Sequence, residues 1–247
     1  MNTAPIIEFE GREYLCLLDD GIVCQENWAK TSARVVNLLK QPKEANPSLR
    51  CGARDKAWRV EKGEPSGDGQ GRNLWANLMR WNAAVKRLVE GRSAPWIEFK
   101  DVKGPNVEFA NALRTCALFN LDYTFPVDHE KKRNSTRDDE FNRMAWYCAP
   151  RQIPRILEAI WPKGGLCSPC IVICCGPGIC GLLKELVKDH RKEYEAEFVG
   201  QALVLRGNRP PAPACVIDWY HPSCRKDSEK LFAEFQDKIQ LAVAGTN

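Results

Sequence analysis

Four short segments of the chain carry side chains suited to chemistry, and each follows an apolar run. They are Lys40-Gln41-Pro42, Asn120-Leu121-Asp122, Cys175-Gly176-Pro177-Gly178 and His221-Pro222-Ser223. Glutamine has an acceptor and two donors but no useful basicity, so Gln41 could position a water molecule without deprotonating it. The Asn120 amide holds a donor and an acceptor side by side, an arrangement that suits the edge of a planar heterocycle. Asp122, two residues on, would face the same side as a second acceptor or base. Glycines at 176 and 178 allow close approach, and free N–H groups at the start of a helix attract phosphate. His221 can stabilise a developing anion, and the Ser223 hydroxyl can bond a phosphate oxygen. Arg225 and Lys226 follow directly. Each segment also has a plain structural reading, as a turn before a rigid proline, a strand-end side chain bonded to nearby backbone, or a tight strand-to-helix turn. The glycine turn alone matches neither the Walker spacing nor the dinucleotide fingerprint.

For these segments to meet, the runs before them must be neighbouring strands. Residues 34–39, "TCALFNLDYT", "CIVICC" and "PACVIDWY" are short, apolar and bounded by turn residues, which predicts four buried strands. Leu74, Leu78, Trp81, Val85 and Leu88 recur at helical spacing, with Asn73 as a cap and Gly91 as a stop. Further helices are expected at 106–114, at 138–161 (where Pro150 and Pro154 would kink or divide it), after Gly178, and at 228–243. "QALVLRG" reads as a short edge strand. A hairpin at Ile6–Leu17 and a short helix at 26–31 fall in an N-terminal extension, residues 1–33. Residues 43–72, rich in Gly, Pro, Ser and charge, read as a long loop insertion, and 127–137 as a charged loop. Alternating strands and helices predict one domain over 1–247. It would be a three-layer α/β/α fold around a central, mainly parallel, four-stranded sheet. Ligands of such sheets sit at the carboxyl ends of the strands, where all four segments would converge.

The composition sets outer limits. Net charge is +4, compatible with nucleic acid without requiring it. No apolar run reaches the roughly 18 residues of a membrane span. The opening "MNTAPIIEFEGREY" is too acidic for a secretory leader, so a cytoplasmic location and no membrane partner are expected. Several of the 12 cysteines lie inside apolar runs and read as reduced core residues. Cys167 and Cys170 have the CxxC spacing of metal sites; Cys148 and Cys180 are possible partners, but no second CxxC completes a four-ligand set. No metal is expected, and no spacing supports a catalytic Cys–His pair.

Taken together, the rim segments resemble the uracil-DNA glycosylase superfamily. "LLKQPKEAN" looks like a divergent first motif, "YHPSCRK" matches the second well, and "ALFNLDYT" looks like the segment whose asparagine reads the target base. The resemblance covers roughly residues 34–243. It departs from the family pattern at Gln41, where better-known branches carry Asp or Asn. It implies a monofunctional DNA glycosylase acting on a flipped base without a cofactor. Gln41, His221 and Asp122 would form the catalytic group, and Asn120, Lys40 and Pro42 would bind the base. Gly176, Gly178, Ser223, Arg225 and Lys226 would hold DNA, making binding salt-dependent. Some relatives act on modified pyrimidines in phage DNA, so excision of hydroxymethylated or glucosylated cytosine is as compatible as uracil repair. The expected partner is single- or double-stranded DNA, bound by a monomer.

The loops at 43–72 and 127–137 carry Arg50, Arg54, Lys56, Arg59, Lys62, Lys131, Lys132 and Arg133. They read either as solvated surface or as a DNA-facing wall on which Trp58 stacks or wedges. Two alternatives stay open: a catalytically weak DNA-binding relative, given Gln41, and a small-molecule nucleotide hydrolase using the glycine turn.

Overall fold

The expected strands form and lie side by side. The computed structural model describes residues 5–16, 19–40, 48–64, 72–97, 105–127, 138–162, 168–190, 194–199, 202–207, 214–222 and 229–244. In chain order the elements are β1 (Ile6–Phe9), β2 (Arg12–Cys16), β3 (Gly21–Ile22), α1 (Gln25–Ala29), β4 (Arg34–Leu39), α2 (Leu49–Lys62), α3 (Arg72–Val89) and α4 (Val107–Arg114). They continue with β5 (Cys116–Asn120), β6 (Thr124–Pro126), α5 (Asp138–Ile160), β7 (Cys170–Cys175), α6 (Ile179–His190), β8 (Tyr194–Val199), β9 (Ala202–Gly207), β10 (Ala214–Trp219) and α7 (Glu229–Ala244).

The central sheet has seven strands in the order β3-β5-β4-β7-β10-β9-β8. Its middle is the expected parallel set, β5-β4-β7-β10. These strands are mainly apolar and, apart from Asp218, buried along their whole length, because both faces are covered. Val35, Leu39, Cys116, Ile173 and Ile217 pack toward α2, α3, α4 and α7. Val36, Leu38, Phe119, Val172 and Val216 pack toward α1, α5 and α6.

Four strands were too few. β3 contributes two residues antiparallel to β5, too short for any periodic signal. β9 is not an edge strand, because it pairs with β10 on one side and β8 on the other. The edge is β8, whose "YEAEFV" alternates polar and apolar residues as a half-covered strand does.

Residues 43–72 are not one long loop, since α2 occupies 14 of them. The Ser48 side chain accepts from the Cys51 N–H at the start, and Gly63 closes the end with φ of 72°. Only Ala53, Ala57 and Val60 are buried, a stripe too thin to stand out against the flanking charge and glycine. Both ends are also pinned by ion pairs, Arg50 to Asp19 and Arg114 to Glu61. α5 is a single helix through Pro150 and Pro154.

Residues 5–33 are built into the fold, not appended to it. β1 and β2 form a second sheet with β6, the segment that follows β5. Trp28 of α1 is buried in the core. All ten described cysteines are free, and most of them are buried. No described helix is long and apolar enough to cross a membrane.

Candidate functional site

The register aligns the four parallel strand ends. Leu39 lies opposite Asn120, Leu38 opposite Cys174, and Trp219 opposite Cys175. Strands about 4.8 Å apart put the β5 and β10 ends roughly 14 Å from each other, with the β4 and β7 ends between. Backbone bonds tie the turns that leave the rim. Leu121 N–H donates to the Leu39 carbonyl at 2.9 Å, Asp122 N–H to the Lys40 carbonyl at 3.1 Å, and Gly176 N–H to the Trp219 carbonyl at 2.8 Å. The rim thus brings together Lys40, Asn120, Asp122, Gly176, Gly178 and His221. Gln41, Pro42, Ser223, Arg225 and Lys226 lie outside the described residues, as do Lys131, Lys132, Arg133 and Cys167.

Asn120 is 6% exposed and held by its backbone. Its N–H donates to Asp20 Oδ2 at 3.0 Å, and its carbonyl accepts from Gln152 Nε2 at 2.6 Å. Gln152 Nε2 also donates to Asp20 Oδ2 at 2.7 Å. Arg155 Nη1 sits 2.7 Å from Asp20 Oδ1, an ion pair whose N–H is not aligned as a hydrogen bond. Burial pushes the Asp20 carboxyl above the usual carboxylate range, against the opposing pull of Arg155 and of the Asn120 and Gln152 donors. Asn120 Oδ1 and Nδ2 are not among the buried, unbonded polar atoms, in contrast to Asn37 Oδ1 and Asn82 Nδ2.

Asp122 is fully buried. Its Oδ1 accepts from the Thr124 N–H at 2.9 Å and from the Thr124 hydroxyl at 2.6 Å, which anchors the turn between β5 and β6. That commitment suits a positioning group better than one meeting substrate. Lys40 is half-buried with its ammonium 4.8 Å from the Phe141 ring centroid, a cation–π contact.

The glycine turn has φ of 139° at Gly176 and 79° at Gly178, both left-handed. A side chain at Gly176 would meet Ile179 Cδ1 at 3.5 Å, whereas nothing lies within 4 Å of one at Gly178. Gly178 is exposed and opens α6, so its open side can admit an anion. Burial raises the Cys174 and Cys175 thiols, whereas the hydrogen bond with Cys174 lowers Cys180. Burial likewise pushes Cys170, the described member of the CxxC pair, up to about 12. Among the described residues no group of three or more His, Cys, Asp or Glu side chains could hold a metal ion.

No family model, curated protein or solved structure matches this chain. The chemistry of the site therefore rests on its geometry.

Across the rim from Asn120, the strand end Trp219-Tyr220 leads into His221-Pro222. The Pro222 carbonyl accepts from Asn77 Nδ2 of α3 at 2.7 Å. Arg80 Nη2 donates to Asn77 Oδ1 at 2.9 Å and Nη1 to the Ile97 carbonyl at 3.1 Å, with the guanidinium 4.5 Å from the Trp96 centroid. Asn77, Asp20 and Gln152 are the site residues that reading the sequence missed. Asn77 had a signal: it falls on the Leu74, Leu78, Trp81 face of α3, where a polar residue must find a buried partner. Asp20 and Gln152 had none, because their partner is the backbone of a distant strand.

Trp58 stands on α2, 47% exposed, with Arg54 and Lys62 one turn to either side. Much of the expected basic wall is engaged within the fold. Arg50 pairs with Asp19, Arg54 Nε donates to the Val23 carbonyl at 2.6 Å, and Arg59 pairs with Asp55 at 2.9 Å.

Proposed function

We propose that the chain is a monofunctional DNA glycosylase that flips a uracil-like or modified pyrimidine from DNA and hydrolyses its N-glycosidic bond, leaving an abasic site. The observation that carries this reading is the placement of Asn120: nine-tenths buried, held by its backbone at a strand end, across the rim from a histidine-bearing turn. With its backbone taken by Asp20 and Gln152, its side-chain amide can pair with a ligand that offers a donor and an acceptor. A pyrimidine edge, with an acceptor beside a donor, does so. The four central strands β5-β4-β7-β10 would then be the glycosylase-like core, with β3 and the β8–β9 hairpin as additions.

Hydrolysis passes through an oxocarbenium-like sugar and a departing anionic base. The water oxygen bonds to the sugar carbon, the electron pair of the broken bond leaves with the base, and the water's second proton ends on that departing base. Gln41 positions that water as a hydrogen-bond acceptor. His221 stabilises charge on the base, the electrostatic contribution such a reaction needs most. Gly178, with Ser223, Arg225 and Lys226, receives the flanking phosphates. Removal of hydroxymethylated or glucosylated cytosine, a form of anti-phage defence, is the same chemistry on a larger base.

The test is base release. Labelled oligonucleotides carrying uracil, hypoxanthine, hydroxymethyluracil, hydroxymethylcytosine or glucosylated hydroxymethylcytosine are incubated with the protein, then treated with alkali. Breakage at one base, lost in Gln41→Ala and His221→Ala, is expected. DNA binding with no breakage at any base would instead identify a binding-only relative. Turnover of free nucleotides without DNA would identify a nucleotide hydrolase.

A further inference from the structure

The ladder between β3 and β5 ends at the pair Gly21–Leu118, two residues short of Asn120. On that side, the N–H and carbonyl of Asn120 have no strand to pair with. Unpaired backbone groups buried at a sheet edge are costly, and side chains take their place here. Asp20 Oδ2 receives the N–H at 3.0 Å and Gln152 Nε2 donates to the carbonyl at 2.6 Å. On its other edge, Asn120 is registered against Leu39 of β4. Residue 120 is therefore gripped along both edges of its strand.

The grip has one orientation. Gln152 Nε2 has two hydrogens, and Asp20 Oδ2 and the Asn120 carbonyl take both. Gln152 Oε1 accepts from Arg155 Nη1 at 2.8 Å. Turning the amide over would set its oxygen against a carboxylate and a carbonyl, and its nitrogen against a guanidinium. Arg155 is fixed in turn, since its Nη2 donates to the Asp20 carbonyl at 2.9 Å. Asp20 Oδ2 and the Gln152 amide are thus committed to the Asn120 backbone and to one another, and Arg155 holds both of them. If β3 were two residues longer, its backbone could pair Asn120 without burying a carboxylate that is 2% exposed.

We infer that Asp20, Gln152 and Arg155 are positioning residues that fix the Asn120 amide in the orientation that selects the base. This rests on the reading of Asn120 as the base-selecting group. Gln152 touches no substrate; it acts through the strand end it holds.

The test is a double-mutant cycle between Gln152→Met, a near-isostere without the amide, and Asn120→Ala, read as the ratio of kcat/KM for target and competing bases. Gln152→Met should lower that ratio about 5- to 50-fold, within the range of a lost base contact. In the Asn120→Ala background it should change the ratio little, because the two residues act as one unit. Additive losses, or a lowered melting temperature with an unchanged ratio, would overturn the inference. A second readout needs no catalysis. The side-chain amide resonances of Asn120, identified by their loss in Asn120→Ala, should shift or broaden in Gln152→Met. Unmoved resonances would overturn the grip itself. If Gln152→Met does not fold, Arg155→Lys keeps the charge, loses the bond to Gln152 Oε1, and should move both readouts in the same direction. A wild-type protein that releases no base overturns the glycosylase reading and the selectivity role with it, while the amide resonances still decide whether the grip exists.

Discussion

Asn120→Ala separates binding chemistry from folding. The backbone bonds from residue 120 to Asp20 and Gln152 survive the substitution. The side chain lost is short and polar, so little apolar packing goes with it. The net change in stability should stay within about 1 kcal/mol, a melting shift of roughly 2–4 °C for a chain of this size. The effect on the bound base should be larger. One bidentate contact discriminates between bases by about 1–3 kcal/mol. That is a 5- to 150-fold fall in the ratio of release rates for target and competing bases, at about tenfold per 1.36 kcal/mol. The assay is competitive release from two labelled oligonucleotides in one tube, beside a thermal melt of the same preparation. An unchanged ratio would refute the assignment of Asn120 to the base. A ratio that falls only together with a collapse in melting temperature would show the amide to be structural.

Other perturbations have distinct signatures. Asp122→Ala removes an acceptor that serves both the N–H and the hydroxyl of Thr124, and should cost about 2–4 kcal/mol in urea unfolding, since bonds to a charged group contribute about 1.5–3 kcal/mol each. Gly178→Ala places a side chain at φ of 79° and should cost about 1–2 kcal/mol while slowing base release. Gly91→Ala, at φ of 69° behind α3, should show a similar stability cost with release intact. Burial lowers the Lys86 ammonium from 10.5 to about 8, against the pull of Cys116, Glu90 and Glu108. The unfolded chain therefore holds that proton more tightly, and wild-type stability should rise as pH climbs from about 8 to 10.5. Lys86→Met should be more stable below that window by about 1–3 kcal/mol and lose its advantage through it, as unfolding at pH 7 and pH 10 would report.

The parallel core was legible because its strands are short, mainly apolar runs closed by turn residues, as in "CIVICCGPG". Residues that end such runs must share one rim if the runs are parallel neighbours, so Lys40, Asn120, Gly176 and His221 could be grouped before any contact was known. α2 was hidden because its buried face is two alanines and a valine, which barely changes local hydropathy. β3 was hidden because two residues have no period, and β8 was passed over although its alternation was present.

By itself the sequence determined the four parallel strands, the described helices other than α2, and which side chains stand at the parallel strand ends. All are local matters of periodicity and turn chemistry. Only the tertiary structure decided what those side chains do there. It closed Asp122 onto Thr124, set Lys40 over Phe141, and brought Asp20 and Gln152 to the Asn120 backbone. Those partners stand 100 and 32 residues from Asn120 along the chain. A hydrogen bond is set by distance and angle in space, and no local pattern encodes which distant donor will arrive at a strand end.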